Sequence, residues 1–133
     1  MKYLLDSNIC IYIIKKKPEE VIKRFLKMKP DSIAISSITV SELYYGVAKS
    51  SKPNENTIAL EQFILPLTVI NYNKEDSISY GKLRAKLEQK GKLIGAMDML
   101  IAAQALSRDL ILVTNNEREF KKVEGLSFEN WVS

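Results

Sequence analysis

Four short apolar runs, each closed by polar residues and followed by a stretch with helical spacing, restrict the fold more than any other feature of the chain. Lys2 to Leu5, Ser32 to Ser36, Leu67 to Ile70 and Leu110 to Val113 read as short buried strands. Ser7 and Asn8 are good N-cap types ahead of a helix that begins at Ile9 to Ile14, and Pro18-Glu-Glu opens a second helix with proline and acids in its first turn. Ser37 caps a helix running to about Ser50, Thr57 to Leu65 forms another that Pro66 ends, and Asp76 to Gln89 is a long amphipathic helix that Gly91 stops. Ser50 to Asn54 reads as a loop, Gly95 opens the next helix, Glu117 to Lys122 is short, and Leu126 to Trp131 suits an edge strand with an anchoring aromatic. Strand followed by helix throughout predicts an α/β fold: a central, mainly parallel sheet of four to five strands, helices on both faces, and one domain over residues 1–133.

Helical spacing assigns the inward faces. Val21, Ile22, Phe25, Leu26 and Met28 form the apolar side of the second helix, Val40, Leu43, Tyr44 and Val47 that of the third, and Ile78, Leu83 and Leu87 that of the long helix. Opposite them lie two basic ridges, Lys15 to Lys29 and Lys82 to Lys92, which face solvent and could also grip phosphates. The net charge of +4 leans the same way.

Two absences limit the chemistry. Without histidine there is no His general base, no Ser-His-Asp or Cys-His catalysis, and no His-ligated zinc. Cys10 is the single cysteine, so neither a disulfide framework nor a thiolate cluster can form, which suits a reducing cytoplasm. The longest apolar run, Ile9 to Ile14, is far short of a membrane span, and the chain opens into a strand without the pattern of a signal peptide; a cytoplasmic protein is expected. Any hydrolytic chemistry must run on carboxylates, with a hard, oxygen-loving cation as the natural companion.

Asp98 supplies the first candidate. Positions three, four and seven residues on are Ile101, Ala102 and Ala105, so a carboxylate shares a stripe with apolar side chains, where an unpaired charge costs several kcal/mol. An acid in the first helical turn, complementing the macrodipole, is the plainer reading. Asp6 ends the first strand, at the kind of strand terminus where α/β sheets collect ligands, and could equally be a turn or capping residue. Glu42 lies at the edge of the third helix's stripe, with Gly46 one turn later. If the strand ends converge, these acids meet in one cleft, and they cannot all stay ionised there unless a cation joins them. Mg²⁺ or Mn²⁺ fits such a set and has an obvious use on a phosphodiester.

Four segments in order carry a family resemblance: Leu4-Leu-Asp6-Ser-Asn8, Ser36 to Gly46 around Glu42, Gly95 to Ala103 around Asp98, and Leu112-Val-Thr-Asn-Asn116 with Glu119-Phe120. Through nearly its whole length the chain resembles the VapC-type toxins of the PIN-domain ribonucleases. The resemblance implies a PIN-like fold and a metal-dependent endoribonuclease acting on structured RNA such as tRNA. It also implies a cognate antitoxin, homodimerisation, and growth arrest by free toxin. By the same resemblance Asp6 and Asp98 are direct metal ligands and Glu42 is a ligand or the base that orients the attacking water. The fourth acid is Glu119, with Asn116 as the competing assignment, and Thr114 could orient a carboxylate or a water. An acidic cleft of this kind would draw a basic side chain from the inhibitor.

A receiver-like signalling module would show adjacent acids after the first strand and an Asp ending the third, where this chain has Ser7-Asn8 and Asn71. A nucleotide-binding fold would show a glycine-rich loop, which the five scattered glycines do not make. A non-catalytic nucleic-acid-binding module is the remaining alternative, since the basic ridges do not depend on the acids.

Overall fold

A computed structural model describes residues 1–132. The chain runs β1 (Tyr3–Leu5), α1 (Ser7–Lys15), α2 (Glu19–Lys27), β2 (Ile33–Ser36), α3 (Ser37–Ala48), α4 (Pro53–Ile64), β3 (Thr68–Ile70), α5 (Lys74–Gln89), α6 (Ala96–Arg108), β4 (Ile111–Val113), α7 (Glu117–Phe120) and β5 (Phe128–Glu129). The strands form one parallel sheet in the order β3-β2-β1-β4-β5. From β1 the chain winds outward through β2 to β3, then returns to the other side of β1 for β4 and β5. The direction reverses between β1 and β4, which is where ligands of open α/β sheets collect.

Strand pleating divides the core. Leu4, Ala34, Ile70 and Leu112 face one side and pack with Leu83 and Leu87 of α5 and Met99, Ile101, Ala102 and Ala105 of α6. Tyr3, Leu5, Ile33, Ile35 and Val113 face the other side, against Ile9, Cys10, Val21, Leu43 and Leu60 of the first four helices. Trp131 closes this second core, its ring edge-on to Tyr3. Helices therefore cover both faces, as the strand–helix alternation requires.

Three boundary shifts have a common cause: the joints are tighter than a propensity reading assumes. Asp6, rather than Ser7 or Asn8, caps α1, accepting the Ile9 N–H at 3.0 Å. Ser36, rather than Ser37, caps α3 by accepting the Ile38 N–H at 3.1 Å. In both places the residue at the strand's end is itself the N-cap, so no loop separates strand from helix. Pro53 opens α4 from within the expected loop, its missing N–H costing nothing in a first turn. Three residues assigned inward are exposed: Leu26, Tyr44 and Ile78. Ile78 lies five residues before Leu83, roughly 140° around the helix from it, whereas Leu83 and Leu87 stack at i,i+4 and are both buried.

α5 starts earlier than expected because Asn73 and Asp76 form a reciprocal capping box, Asn73 Oδ1 accepting from Asp76 N–H and Asp76 Oδ2 from Asn73 N–H. Asp76 does more than cap. It is fully buried, and its carboxylate also accepts from Gln104 Nε2 at 3.1 Å, from the Ser107 hydroxyl, and from Arg108 Nη2 at 3.1 Å. Arg108 Nη2 in addition donates to the Asn71 carbonyl at 2.7 Å. One carboxylate thus ties the start of α5 to the end of α6. Burial by itself pushes this carboxyl up, and the hydrogen bonds from Arg108, Ser107, the Asn73 backbone and Gln104 outweigh it and hold it below its ordinary value. The stability so gained is complete above the ordinary carboxylate range and is lost as pH falls through the depressed folded value. Replacing Asp76 by Asn is expected to lower the unfolding free energy by about 2–4 kcal/mol at pH 7, with the gap closing in acid; urea titrations across pH measure it.

Candidate active site

The carboxyl edge of the sheet sets the site. Leu5 pairs with Val113, so Asp6 and Thr114 are the next residues on adjacent central strands, and the Asp6 N–H donates to the Val113 carbonyl at 3.0 Å. Asp6 is 9% exposed and Thr114 is buried. On the other flank β2 ends in Ser36, and α3 carries Glu42 half-buried. The Ser7 hydroxyl, at the first position of α1, donates to Glu42 Oε1 at 2.8 Å and so ties the ends of two elements together. Its role was not legible in the sequence, where Ser7 looked like a cap.

Asp98 stands at the third position of α6, half-buried, as the first-turn reading expects. The Gly95 that opens α6 lies close: a Cβ there would come 3.6 Å from Asp98 Oδ2, an ordinary contact. Ile101, Ala102 and Ala105, which share its stripe, are buried against the sheet, and Tyr72 Oη donates to the Leu100 carbonyl at 2.9 Å just beyond it. After β4, the Asn116 N–H donates to Thr114 Oγ1 at 2.9 Å, folding the turn into α7. Phe120 is buried and fixes that helix, and Glu119, half-buried, is paired with Lys122 at 3.2 Å. Thr114 therefore orients the turn that delivers Glu119.

The acids feel one another. Burial pushes the Asp6 carboxyl up to about 6, the Thr114 hydroxyl and the Ile9 N–H pull it back in part, and the charges of Asp98 and Glu42 add to the rise. Asp98 is raised first by burial and then by the charges of Glu42 and Glu119. The four acids singled out in the sequence thus form one electrostatically connected set. Asn116 accompanies them as the cap of α7 and makes no side-chain cap bond.

Residues 3–126 match the PIN domain family model. The chain is 47% identical to Ribonuclease VapC2 of Haemophilus influenzae over 132 residues, 99% of each chain. It is 44% identical to the tRNA(fMet)-specific endonuclease VapC of Salmonella typhimurium over 131 residues, 98% of each. Among solved structures it superposes on VapBC from Salmonella typhimurium bound to DNA with a TM-score of 0.93 at 44% identity, covering 98% of each chain. Against VapBC2 from Rickettsia felis bound to a promoter DNA fragment the TM-score is 0.92 at 44% identity, covering 98% of this chain and 99% of that one. The chain belongs to the VapC ribonucleases of the PIN-domain family. Its fold and its endoribonuclease class follow from that membership.

Whether the acids of this VapC chain suit a cation is a question of donors and charge. The candidate donors are the carboxylate oxygens of Asp6, Glu42, Asp98 and Glu119 and the amide oxygen of Asn116, all hard; Cys10 is buried and its thiol is pushed up well above its usual range by burial, so it is no competing soft ligand. Asp6 and Asp98 are raised first by burial, and the charges of neighbouring acids add to the rise. Thr39, one turn before Glu42 on α3, is buried with a hydroxyl that has no hydrogen-bond partner. The set therefore fits a hard divalent ion. Among the described residues no three His, Cys, Asp or Glu side chains are gathered tightly enough to ligate one ion as they stand. Glu42 is drawn to Ser7 and Glu119 to Lys122. Among the described residues no helix is long and apolar enough to cross a membrane.

A carboxyl whose folded pKa is raised costs stability once it ionises: the penalty is absent below the unfolded value near 4 and complete above about 6. Asn at position 6 can keep the cap on Ile9 without the charge. Asp6→Asn is therefore expected to stabilise the metal-free protein at pH 7.5 by about 1–3 kcal/mol relative to wild type, with the difference vanishing by pH 4. Paired thermal melts in chelator at the two pH values measure it.

Proposed function

We propose that this chain is the toxin of a toxin–antitoxin pair and hydrolyses phosphodiester bonds of a tRNA at the cleft of Asp6, Glu42, Asp98 and Glu119, with Mg²⁺ or Mn²⁺ bound there. The observation that carries the reading is the pair of carboxylates Asp6 and Asp98, buried and half-buried on different elements, each raised first by burial and then by neighbouring acids, with Glu42 acting on both. The kinship with an enzyme named for tRNA(fMet) supports the substrate class.

Asp6 and Asp98 would hold the ion, because strand end and helix first turn fix their backbones, with Glu42 as a further ligand or as the base. A bound divalent ion supplies an acidified water and offsets charge that builds on the scissile phosphate. Glu42 Oε1 is occupied by the Ser7 hydroxyl. Glu42 Oε2 is then the oxygen that takes a proton from the attacking water, with the carboxylate plane set by Ser7. Glu119 completes the acidic wall from α7, and Thr114 holds the turn on which it stands.

The partner is an antitoxin, supported by the VapB-containing complexes on which the chain superposes. An Arg or Lys from it would satisfy the carboxylates in place of metal. A homodimer belongs to the same proposal, supported by exposed apolar side chains such as Ile58, Leu65 and Val69.

The test is incubation of purified, antitoxin-free protein with total tRNA and Mg²⁺, with and without chelator. Cleavage only with metal is expected, and Asp98→Asn should reduce it by roughly 10³-fold or more while RNA affinity changes less than about twofold. Intact tRNA in the wild-type reaction, or full cleavage by Asp98→Asn, would sink the proposal.

A further inference from the structure

Part of the basic ridges that looked suited to phosphates is tied to the protein's own acids. Lys23 pairs with Glu19, Arg24 with Glu129, Arg84 with Glu88, and both Lys86 and Lys90 with Glu124. A different cation is paired with one of the candidate site acids. Lys122 follows α7 and pairs with Glu119, the acid whose charge reaches Asp98. Its side chain is 32% exposed, more covered than those of the ridge lysines, yet open to solvent on one side. Buried Phe120 and Val123 bracket the turn, and the Lys122 N–H donates to the Glu119 carbonyl at 3.1 Å, so the backbone that carries Lys122 is fixed.

We propose that Lys122 is an RNA-binding residue of the cleavage site, resting on Glu119 in the free protein and passing to a non-bridging phosphate oxygen of the bound strand. The inference depends on the cleft being where RNA is cut. A phosphate entering a cleft walled by four carboxylates meets repulsion, and a positive group beside it is needed at the moment of binding. A partly exposed Lys–Glu pair is weak, so exchanging one anionic oxygen for another costs little. The phosphate offers the ammonium the same charge-assisted N–H···O bond. The exchange also frees both oxygens of Glu119 to turn toward Asp98 and whatever cation joins them.

Lys122 is thereby distinguished from a residue that only positions Glu119, and the two roles separate in one experiment. Fluorescent tRNA is titrated with wild type, Lys122→Met, Lys122→Arg and Glu119→Gln in chelator, where nothing is cleaved, at several salt concentrations. Lys122→Met is expected to weaken binding about 3- to 10-fold and to flatten the slope of log affinity against log salt by roughly 0.7–0.9, the value of one lost phosphate contact. Lys122→Arg should restore both. Glu119→Gln, which releases Lys122, should bind at least as tightly as wild type. Unchanged affinity and slope for Lys122→Met, or an equal loss for Lys122→Met and Glu119→Gln, would overturn the inference. Those results with an inactive Asp98→Asn would leave the cleft reading standing; cleavage retained by Asp98→Asn would bring down both.

Discussion

A carboxylate at the end of the central strand is unfavourable to keep ionised, and the fold keeps Asp6 there by making it indispensable to the backbone. Its N–H continues the β1–β4 ladder, its side chain caps α1, and its neighbour Ser7 reaches across to Glu42. Moving Asp6 away from the other acids would break the sheet edge or fray the helix. The rise of its carboxyl to about 6 is the measure of what the frame opposes. A penalty of this kind, mostly burial with the charges of Asp98 and Glu42 added, persists in a folded protein only where the surrounding structure leaves the group no other place.

The sheet, its direction and three of the four acids were readable from the chain, because those features are written in local patterns. Short apolar runs give strands, helical spacing gives the covering helices, and a parallel sheet follows from their alternation. Asp6, Glu42 and Asp98 stood out because strand ends and helix stripes are places where an acid is either a cap or a ligand. Asp6 holds a cap and Asp98 a first-turn position, which is compatible with the ligand role proposed for them.

What escaped the sequence depends on pairing across long separations. Nothing local tells that Asp76 meets Arg108, that Ser7 meets Glu42, or that ridge cations such as Lys86 and Arg24 meet Glu124 and Glu129. The Asn73–Asp76 capping box was legible in principle, as an N-cap type three residues before an acid ahead of a helical stretch. Leu26, Tyr44 and Ile78 were misassigned for a simpler reason: an apolar residue one position off the stripe looks inward on a list and points outward on a cylinder.

The Asp76 cluster has a consequence for how the protein moves. Because one carboxylate binds the first turn of α5 and the last turn of α6, neither helix can peel from the sheet while the other stays seated. The pair therefore opens as a single cooperative unit, and the amide protons of both should exchange with solvent at a common, slow rate. Asp98 stands in the first turn of α6, on the helix whose other end that tie holds.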